Sequence, residues 1–119
     1  MSDERRQHPR MRCYLPVRLY PKGQFKVIET LTKDLGKGGI CVVSPAFKPT
    51  YTPISVELVV GPKREPLTLK GEVVWFQVIP QSEQFRLGIE FHDVSPQYQL
   101  LLSTYIDRLA SNSPINLQS

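Results

Sequence analysis

The stretch GEVVWFQVIPQSEQFRLGIEFH, residues 71–92, holds two apolar runs separated by the short polar segment PQSE. In the second run, apolar and polar residues alternate from Phe85 to His92. Such alternation places the two sets of side chains on opposite faces of a β-strand. The stretch therefore predicts two strands joined by a short turn, the first beginning near Leu67 and the second ending near His92.

Four more segments of alternating or continuous apolar residues precede this pair, and turn-forming residues separate them. These predicted strands cover residues 13–20, 25–34, 39–43 and 54–60. In the second of them, the apolar positions that begin the strand are Phe25, Val27 and Leu31. Six strands at regular spacing with short turns predict an all-β fold, a small six-stranded antiparallel barrel.

A single helix is expected after the last strand. Ser95 is a good N-cap, and Pro96 suits the first helical position, where no backbone hydrogen bond is lost. Apolar residues then recur at three- and four-residue spacing, which predicts one stripe facing the barrel: Tyr98, Leu101, Leu102, Tyr105 and Leu109. A partner-binding helix is the alternative interpretation. The barrel and helix together are expected to span residues 13–110, and residues 111–119 are expected to form a disordered tail.

The excess positive charge of the chain lies near its N-terminus. Of the 15 Lys and Arg residues seven fall within residues 1–26, together with only two of the 11 Asp and Glu residues. Four arginines lie in ERRQHPRMR, residues 4–12. This distribution favours an anionic partner met by the N-terminal segment over a generally basic surface that coats nucleic acid, so no DNA or RNA partner is expected. A solvated chain end is the alternative.

Length and composition exclude several classes of protein. A chain of 119 residues corresponds to one domain. No apolar run is long enough to span a membrane and no signal peptide is apparent, so we expect a cytoplasmic protein. Cys13 and Cys41 stand alone in apolar runs, which favours reduced, buried thiols over a metal site or a disulfide. No catalytic arrangement is visible and His92 has no evident ligand partner in the sequence, so an enzyme is not expected.

The segment DLGKGGI, residues 34–40, interrupts two apolar runs. It places an aspartate before three glycines, at positions 36, 38 and 39. A hairpin turn needs only one or two glycines for its backbone conformation. The additional glycine indicates a place where a ligand approaches the backbone closely.

Two short elements of the chain resemble the PilZ family, bacterial domains that bind the second messenger cyclic di-GMP (c-di-GMP). Arg6-Gln7-His8-Pro9-Arg10 matches the RxxxR element of the family. The segment 34–39 resembles the element [D/N]xSxxG, with Gly36 where the family usually has serine. GEVVW at 71–75, LGIEF at 87–91 and the C-terminal helix also match, so the resemblance covers about residues 4–110.

The resemblance implies that c-di-GMP is the ligand and that no other cofactor is needed. It implies that Arg6 and Arg10 hold the guanine edges and phosphates, with a stacking or phosphate contact from Arg5. Arginine suits this role because its planar fork binds the O6/N7 edge of guanine and stacks on bases. Asp34 is implied to accept hydrogen bonds from guanine N–H groups or to orient an arginine.

Three further positions complete the predicted site. Gly36 and Gly39 are implied to let the backbone come close to the ligand. Without the serine hydroxyl at position 36, one hydrogen bond of about 0.5–1.5 kcal/mol is lost, and we expect binding to survive. Trp75 either borders the guanine pocket or lies in the core of the domain.

The resemblance leads to a functional hypothesis with two alternatives. Residues 1–12 are expected to be a flexible arginine-rich segment that orders on ligand binding and signals to a partner, an effector protein that the sequence does not identify. The first alternative is a nucleotide-independent protein-interaction module on the same fold. The second is a small barrel that binds single-stranded nucleic acid. The concentration of positive charge in the N-terminal segment, rather than along a strand face, disfavours it.

Overall fold

The computed structural model of the chain describes residues 10–46, 48–61 and 65–112. They form seven β-strands and one α-helix. The elements are β1 (Arg10–Arg12), β2 (Pro16–Pro21), β3 (Ile28–Gly36), β4 (Gly39–Ser44), β5 (Pro53–Leu58), β6 (Leu67–Val78), β7 (Phe85–His92) and α1 (Pro96–Asn112). Each predicted strand and the predicted helix is present.

Six of the strands form a closed antiparallel barrel. Around the barrel the order is β3, β2, β5, β6, β7 and β4, and pairing of β4 with β3 completes the circle. In the closed ring every strand is paired on both sides. An open sheet, by contrast, has two edge strands whose unpaired backbone groups need protection. This arrangement confirms the predicted fold class.

Strand β1 is an addition to the predicted barrel. It pairs with β3 beyond the point where β2 ends its own pairing with that strand. Residues 10–12 therefore belong to the sheet, although they lie in the segment 1–12 that was expected to be separate from the barrel. The sheet thus includes three residues on the N-terminal side of the boundary predicted at residue 13.

The core lies inside the barrel and is built by the inward-facing residues of every barrel strand. In β5 and β7 the burial alternates as predicted, and Val56, Leu58, Leu87 and Ile89 are completely buried. Because alternate residues of a strand share a face, these apolar positions meet across the barrel. The alternation read from the sequence therefore identified the core of these two strands.

The expected apolar positions of β3 were wrong. Phe25 and Val27 precede the strand and are exposed, and Leu31 is half exposed on the outer face, opposite Pro16. The core positions of β3 include Ile28 and Leu35, which are buried. The strand begins later than the apolar pattern suggested, and a polar residue, Thr32, occupies a completely buried position in it.

Helix α1 covers the barrel next to β1 and β3. The hydroxyl of Ser95 accepts a hydrogen bond from the backbone N–H of Tyr98 at 3.2 Å, which confirms the predicted N-cap. Leu102 and Ile106 are the buried residues of its inner face, and the other residues of the predicted stripe pack partly buried beside them. Within the described residues, α1 is neither long nor apolar enough to cross a membrane.

Candidate functional site

The two sequence elements that the resemblance singled out meet in the ladder between β1 and β3. Arg10, the last residue of the RxxxR element, lies directly opposite Gly36. Arg12 lies opposite Asp34, and Met11 lies opposite Leu35 between them. Residues 20 or more positions apart in the chain are thus neighbours in space. Arg5 and Arg6 lie outside the described residues.

A buried hydroxyl holds β1 in line with β2. Thr32 donates a hydrogen bond to the carbonyl oxygen of Cys13 at 2.7 Å and accepts one from the N–H of Leu15 at 2.9 Å. Its backbone N–H also donates to the carbonyl of Leu15, at 2.9 Å. Since β1 and β2 pair with the same edge of β3, Thr32 stabilises the irregular connection between them. The position of Arg10 and Arg12 therefore depends on a residue inside the barrel.

Two β-bulges determine which side chains reach the outer face here. The register of β3 with β4 shifts between Thr32 and Asp34, so Lys33 is the extra residue. Thr32 is completely buried, whereas Asp34 is only half-buried and lies opposite Cys41 on the outer side. Without the bulge, Asp34 would face the core like Thr32, because residues two apart share a face.

The second bulge, in β6, turns the side chain of Trp75 to the outer face in the same way. The register of β6 with β7 shifts between Val73 and Trp75, so Val74 is the extra residue. Val73 is completely buried, whereas Trp75 is 39% exposed and packs over Gly88 on the outer face. A side chain at Gly88 would collide with the indole ring. Of the two interpretations of Trp75, a core position is therefore excluded.

The two bulges complete a row of residues across five strands, each directly opposite the next. This outer row consists of Arg12, Asp34, Cys41, Gly88 and Trp75. Asp34 and Trp75 thus lie on the same outer surface of the barrel, with Arg12 at one end of the row. Cys41 is buried within it, and both cysteines of the chain are free thiols.

Gly39 has a structural role of its own in the predicted site. It starts β4 directly after the two-residue turn formed by Lys37 and Gly38, and a Cβ atom there would collide with the carbonyl oxygen of Ile89. Nearby, the N–H of Phe91 donates to the carbonyl of Gly38 at 2.8 Å. The third glycine of the segment is therefore required for close contact between β4 and β7, whether or not a ligand also approaches it.

Positive charge predominates around the meeting point of β1 and β3. Arg12 is exposed, and Lys33 and Lys37 are half-buried nearby, while Asp34 is the one acidic residue of the β3–β4 hairpin segment 30–44. The Lys33 ammonium lies 5.8 Å from the centre of the Tyr14 ring, within the range of a cation–π interaction. A surface of this kind favours an anion.

The thiol of Cys13 lies just inside this surface. Burial raises the pKa of Cys13, and the charge of Asp34 adds to the shift, while a hydrogen bond with Thr32 opposes it. Burial also raises the pKa of Tyr105 on α1, with a further contribution from Cys13. Cys13 is therefore close enough to interact electrostatically both with Asp34 on β3 and with Tyr105 on α1.

The expectation that His92 has no ligand partner was wrong. Its Nε2 atom lies 3.1 Å from Oε1 of Glu72, and Glu72 lies directly opposite Glu90. Potential ligand atoms of the three residues are within 4.8 Å of one another. No local pattern in the sequence indicates this cluster, because its members come together only through the register of β6 and β7. The closest contact in this cluster is the one between the His92 imidazole and the Glu72 carboxylate.

The fold and this surface define a small β-barrel domain that carries Arg12 and a glycine-containing turn on one outer face. The family model of the PilZ domain matches residues 4–108, nearly the whole chain. The protein belongs to the PilZ family.

Solved structures share this fold at low sequence identity. MotI/DgrA, the inhibitor of motility of Bacillus subtilis, has a TM-score of 0.77 and 22% identity, over 92% of this chain and 52% of that chain. The PilZ domain of YcgR from Escherichia coli, solved with c-di-GMP, has a TM-score of 0.73 and 17% identity, over 97% of this chain and 98% of that one. The chain therefore spans about half the length of MotI/DgrA and nearly all of the YcgR domain.

A third structure combines the fold with the same ligand. MrkH from K. pneumonia, in a complex with c-di-GMP, has a TM-score of 0.73 and 16% identity, over 91% of this chain and 53% of that chain. A comparison with curated proteins gave no match.

Proposed function

We propose that the protein is a non-catalytic receptor for c-di-GMP that binds its ligand on the face where β1 meets the β3–β4 turn. Arg6 and Arg10 bind the guanine edges and phosphates, with a further contact from Arg5. Asp34 accepts from guanine N–H groups or orients an arginine. Gly36 and Gly39 allow the ligand to approach the backbone, and Trp75 borders the base.

The observation that carries the proposal is the pairing of Arg10 with Gly36. Each of the two elements is short, and RxxxR alone occurs often by chance. Their direct juxtaposition across a strand pair, with Asp34 on the outer face beside them, is what one ligand bound by both elements requires. Family membership and the c-di-GMP complexes of YcgR and MrkH support the same ligand.

The chemistry of the residues fits a cyclic dinucleotide better than a simple anion. A guanidinium fork binds the O6/N7 edge of guanine in a bidentate manner, and its planar face stacks on a base. Carboxylate oxygens accept hydrogen bonds from the N–H groups on the other edge. Asp34 and Trp75 lie in one row on the outer face, so an acceptor and an aromatic ring flank the same surface.

We further propose that residues 1–12 act as the switch and that residues 13–110 are the scaffold. Helix α1 packs against β1 and β3, the strands that carry Arg10 and Asp34. A ligand that holds the N-terminal arginines in place shifts β1. Because α1 packs against β1, its packing changes as well. This route connects ligand binding to a surface that an effector protein can recognise.

Isothermal titration calorimetry with c-di-GMP tests the function, with GTP as the control ligand. We expect the parent protein to bind c-di-GMP at micromolar concentration or tighter. Arg6→Ala and Arg10→Ala each remove a charge-assisted contact, so each is expected to weaken binding by about 30-fold or more. Arg18→Ala is the matched control, because it removes one arginine of β2 that already pairs with Glu57 and Glu29.

Two results would contradict the proposal. Unchanged affinity in both arginine variants would show that the site is elsewhere. No heat of binding and no thermal shift with the parent protein at high ligand concentration would favour the nucleotide-independent interaction module, with Gly36 as a sign of a lost site.

A further inference from the structure

Arg12 lies outside both sequence elements, two residues beyond the RxxxR element. The ladder places it directly opposite Asp34. Its neighbour Met11 packs against the core, so alternation puts Arg12 on the outer face, where it is exposed. It therefore ends the outer row that also contains Asp34 and Trp75.

The environment of Arg12 differs from that of Arg18, the next arginine along the same edge of β3. Arg18 lies 3.4 Å from a carboxylate oxygen of Glu57 and 3.5 Å from one of Glu29. Among residues 10–46, 48–61 and 65–112, Arg12 makes no ion pair. The charge of Arg18 is thus matched within the fold, whereas the described residues leave that of Arg12 available to an external anion.

The charges around Arg12 favour the same conclusion. Lys33 and Lys37 flank Asp34 in the chain, so this part of the surface carries more positive than negative charge even with Asp34 included. An exposed guanidinium in such a surface repels further cations and attracts phosphate oxygens, with which it forms charge-assisted hydrogen bonds.

We infer that Arg12 contacts a phosphate of the bound cyclic dinucleotide and is a ligand-binding residue additional to both motif elements. The inference rests on the proposed function, because it assigns Arg12 to the same ligand. It also bears on Gly36, where this chain lacks the hydroxyl that serine provides: a contact from Arg12 supplies an additional bond on the same face.

The test is calorimetric titration of c-di-GMP into the parent protein and into three variants, Arg12→Ala, Arg12→Lys and Arg18→Ala, at low and at high salt. We expect Arg12→Ala to weaken binding by about tenfold or more at low salt, with a smaller loss at high salt. Arg12→Lys is expected to retain most of the affinity, because a phosphate accepts a point charge. Arg18→Ala, which removes the same formal charge from β2 opposite Glu29, is expected to bind like the parent.

Other outcomes overturn the inference in distinguishable ways. If the parent binds and Arg12→Ala binds equally well at both salt concentrations, Arg12 is only a solvated side chain and the proposed function stands. If Arg12→Ala lowers the melting temperature of the ligand-free protein and Arg12→Lys does not restore affinity, Arg12 has a structural role. If the parent itself does not bind, the proposed function fails and this inference fails with it.

Discussion

Arg10 lies directly opposite Gly36 in the ladder between β1 and β3. This pairing joins a positively charged segment near the N-terminus to the turn between two barrel strands. It also places the one departure from the family pattern, glycine for serine, beside the second arginine of the RxxxR element. The consequence of that departure can therefore be measured directly.

Replacing Gly36 by serine is expected to tighten binding of c-di-GMP about two- to tenfold, since one net hydrogen bond contributes about 0.5–1.5 kcal/mol. Titration calorimetry of Gly36→Ser against the parent measures the gain. Gly36→Ala is the matched control, because it adds a side chain without a hydroxyl. Equal affinities for the serine and alanine variants would show that a hydroxyl at this position makes no contact with the ligand.

Gly39 is expected to be required for stability in the absence of any ligand. A Cβ atom at this position collides with the carbonyl oxygen of Ile89, which is backbone and cannot move without disturbing the β4–β7 ladder. Gly39→Ala should therefore lower the free energy of unfolding by about 1–3 kcal/mol, measured by urea denaturation. Gly61→Ala is the control, since a Cβ there meets no atom within 4 Å. A Gly39→Ala protein as stable as the control would disprove the proposed contact.

The buried hydroxyl of Thr32 is expected to contribute strongly to stability. Thr32→Val keeps the shape of the side chain but removes a donor to the carbonyl of Cys13 and an acceptor for the N–H of Leu15. Leaving both backbone groups without a partner should cost about 2–4 kcal/mol in the free energy of unfolding. Thr68→Val, on the exposed face of β6, is the control.

Amide hydrogen exchange adds a second measurement for Thr32. Because the hydroxyl joins the β1–β2 connection to β3, faster exchange at residues 11–15 of Thr32→Val should accompany the loss of stability. A loss of stability without faster exchange there would mean that Thr32 acts on the barrel as a whole.

Stability is expected to fall at alkaline pH. Burial raises the pKa of Cys13 above its ordinary value of 9.0, so the folded protein keeps the thiol proton to higher pH than the unfolded chain. The stabilisation is complete below the unfolded pKa and is lost as the pH rises through the folded one. Tyr105, with its pKa also raised, acts in the same direction at higher pH.

Urea denaturation between pH 8 and pH 11 measures this dependence, which should be shallower in Cys13→Ala than in the parent. Cys41→Ala is a comparison variant with the other buried thiol removed. If Cys13→Ala and the parent lose stability in parallel, Cys13 does not titrate differently in the two states.

Local patterns in the sequence were sufficient to predict the barrel strands and the helix of the fold. The alternation from Phe85 to His92 and the cap at Ser95 were confirmed, because they depend on neighbouring residues in the chain. The predicted start of β3 was wrong, because the strand begins at Ile28. Within it, an exposed Leu31 and a buried Thr32 contradict the usual relation between polarity and burial. Glu72 and His92 were not connected, because only the register of two strands brings them together.

In the candidate site, too, some features were predicted from the sequence and others depend on the tertiary structure. The two motif elements, and the residues proposed to bind c-di-GMP, were identified from the resemblance to the PilZ family that these short segments carry. The sequence did not indicate that Arg12 shares their surface, and it left Trp75 open between core and pocket. The positions of Arg12 and Trp75 on the outer face both depend on the pairing of strands.

The sequence by itself determined the set of strands, the helix and the chemistry of the arginine and glycine segments, because these are properties of short stretches of chain. Only the tertiary structure decided which faces those residues occupy. The bulges at Lys33 and Val74 shift the alternation by one residue and turn Asp34 and Trp75 outward. A single extra residue in a strand reverses every side chain after it, and its location depends on the partner strands rather than on the local sequence.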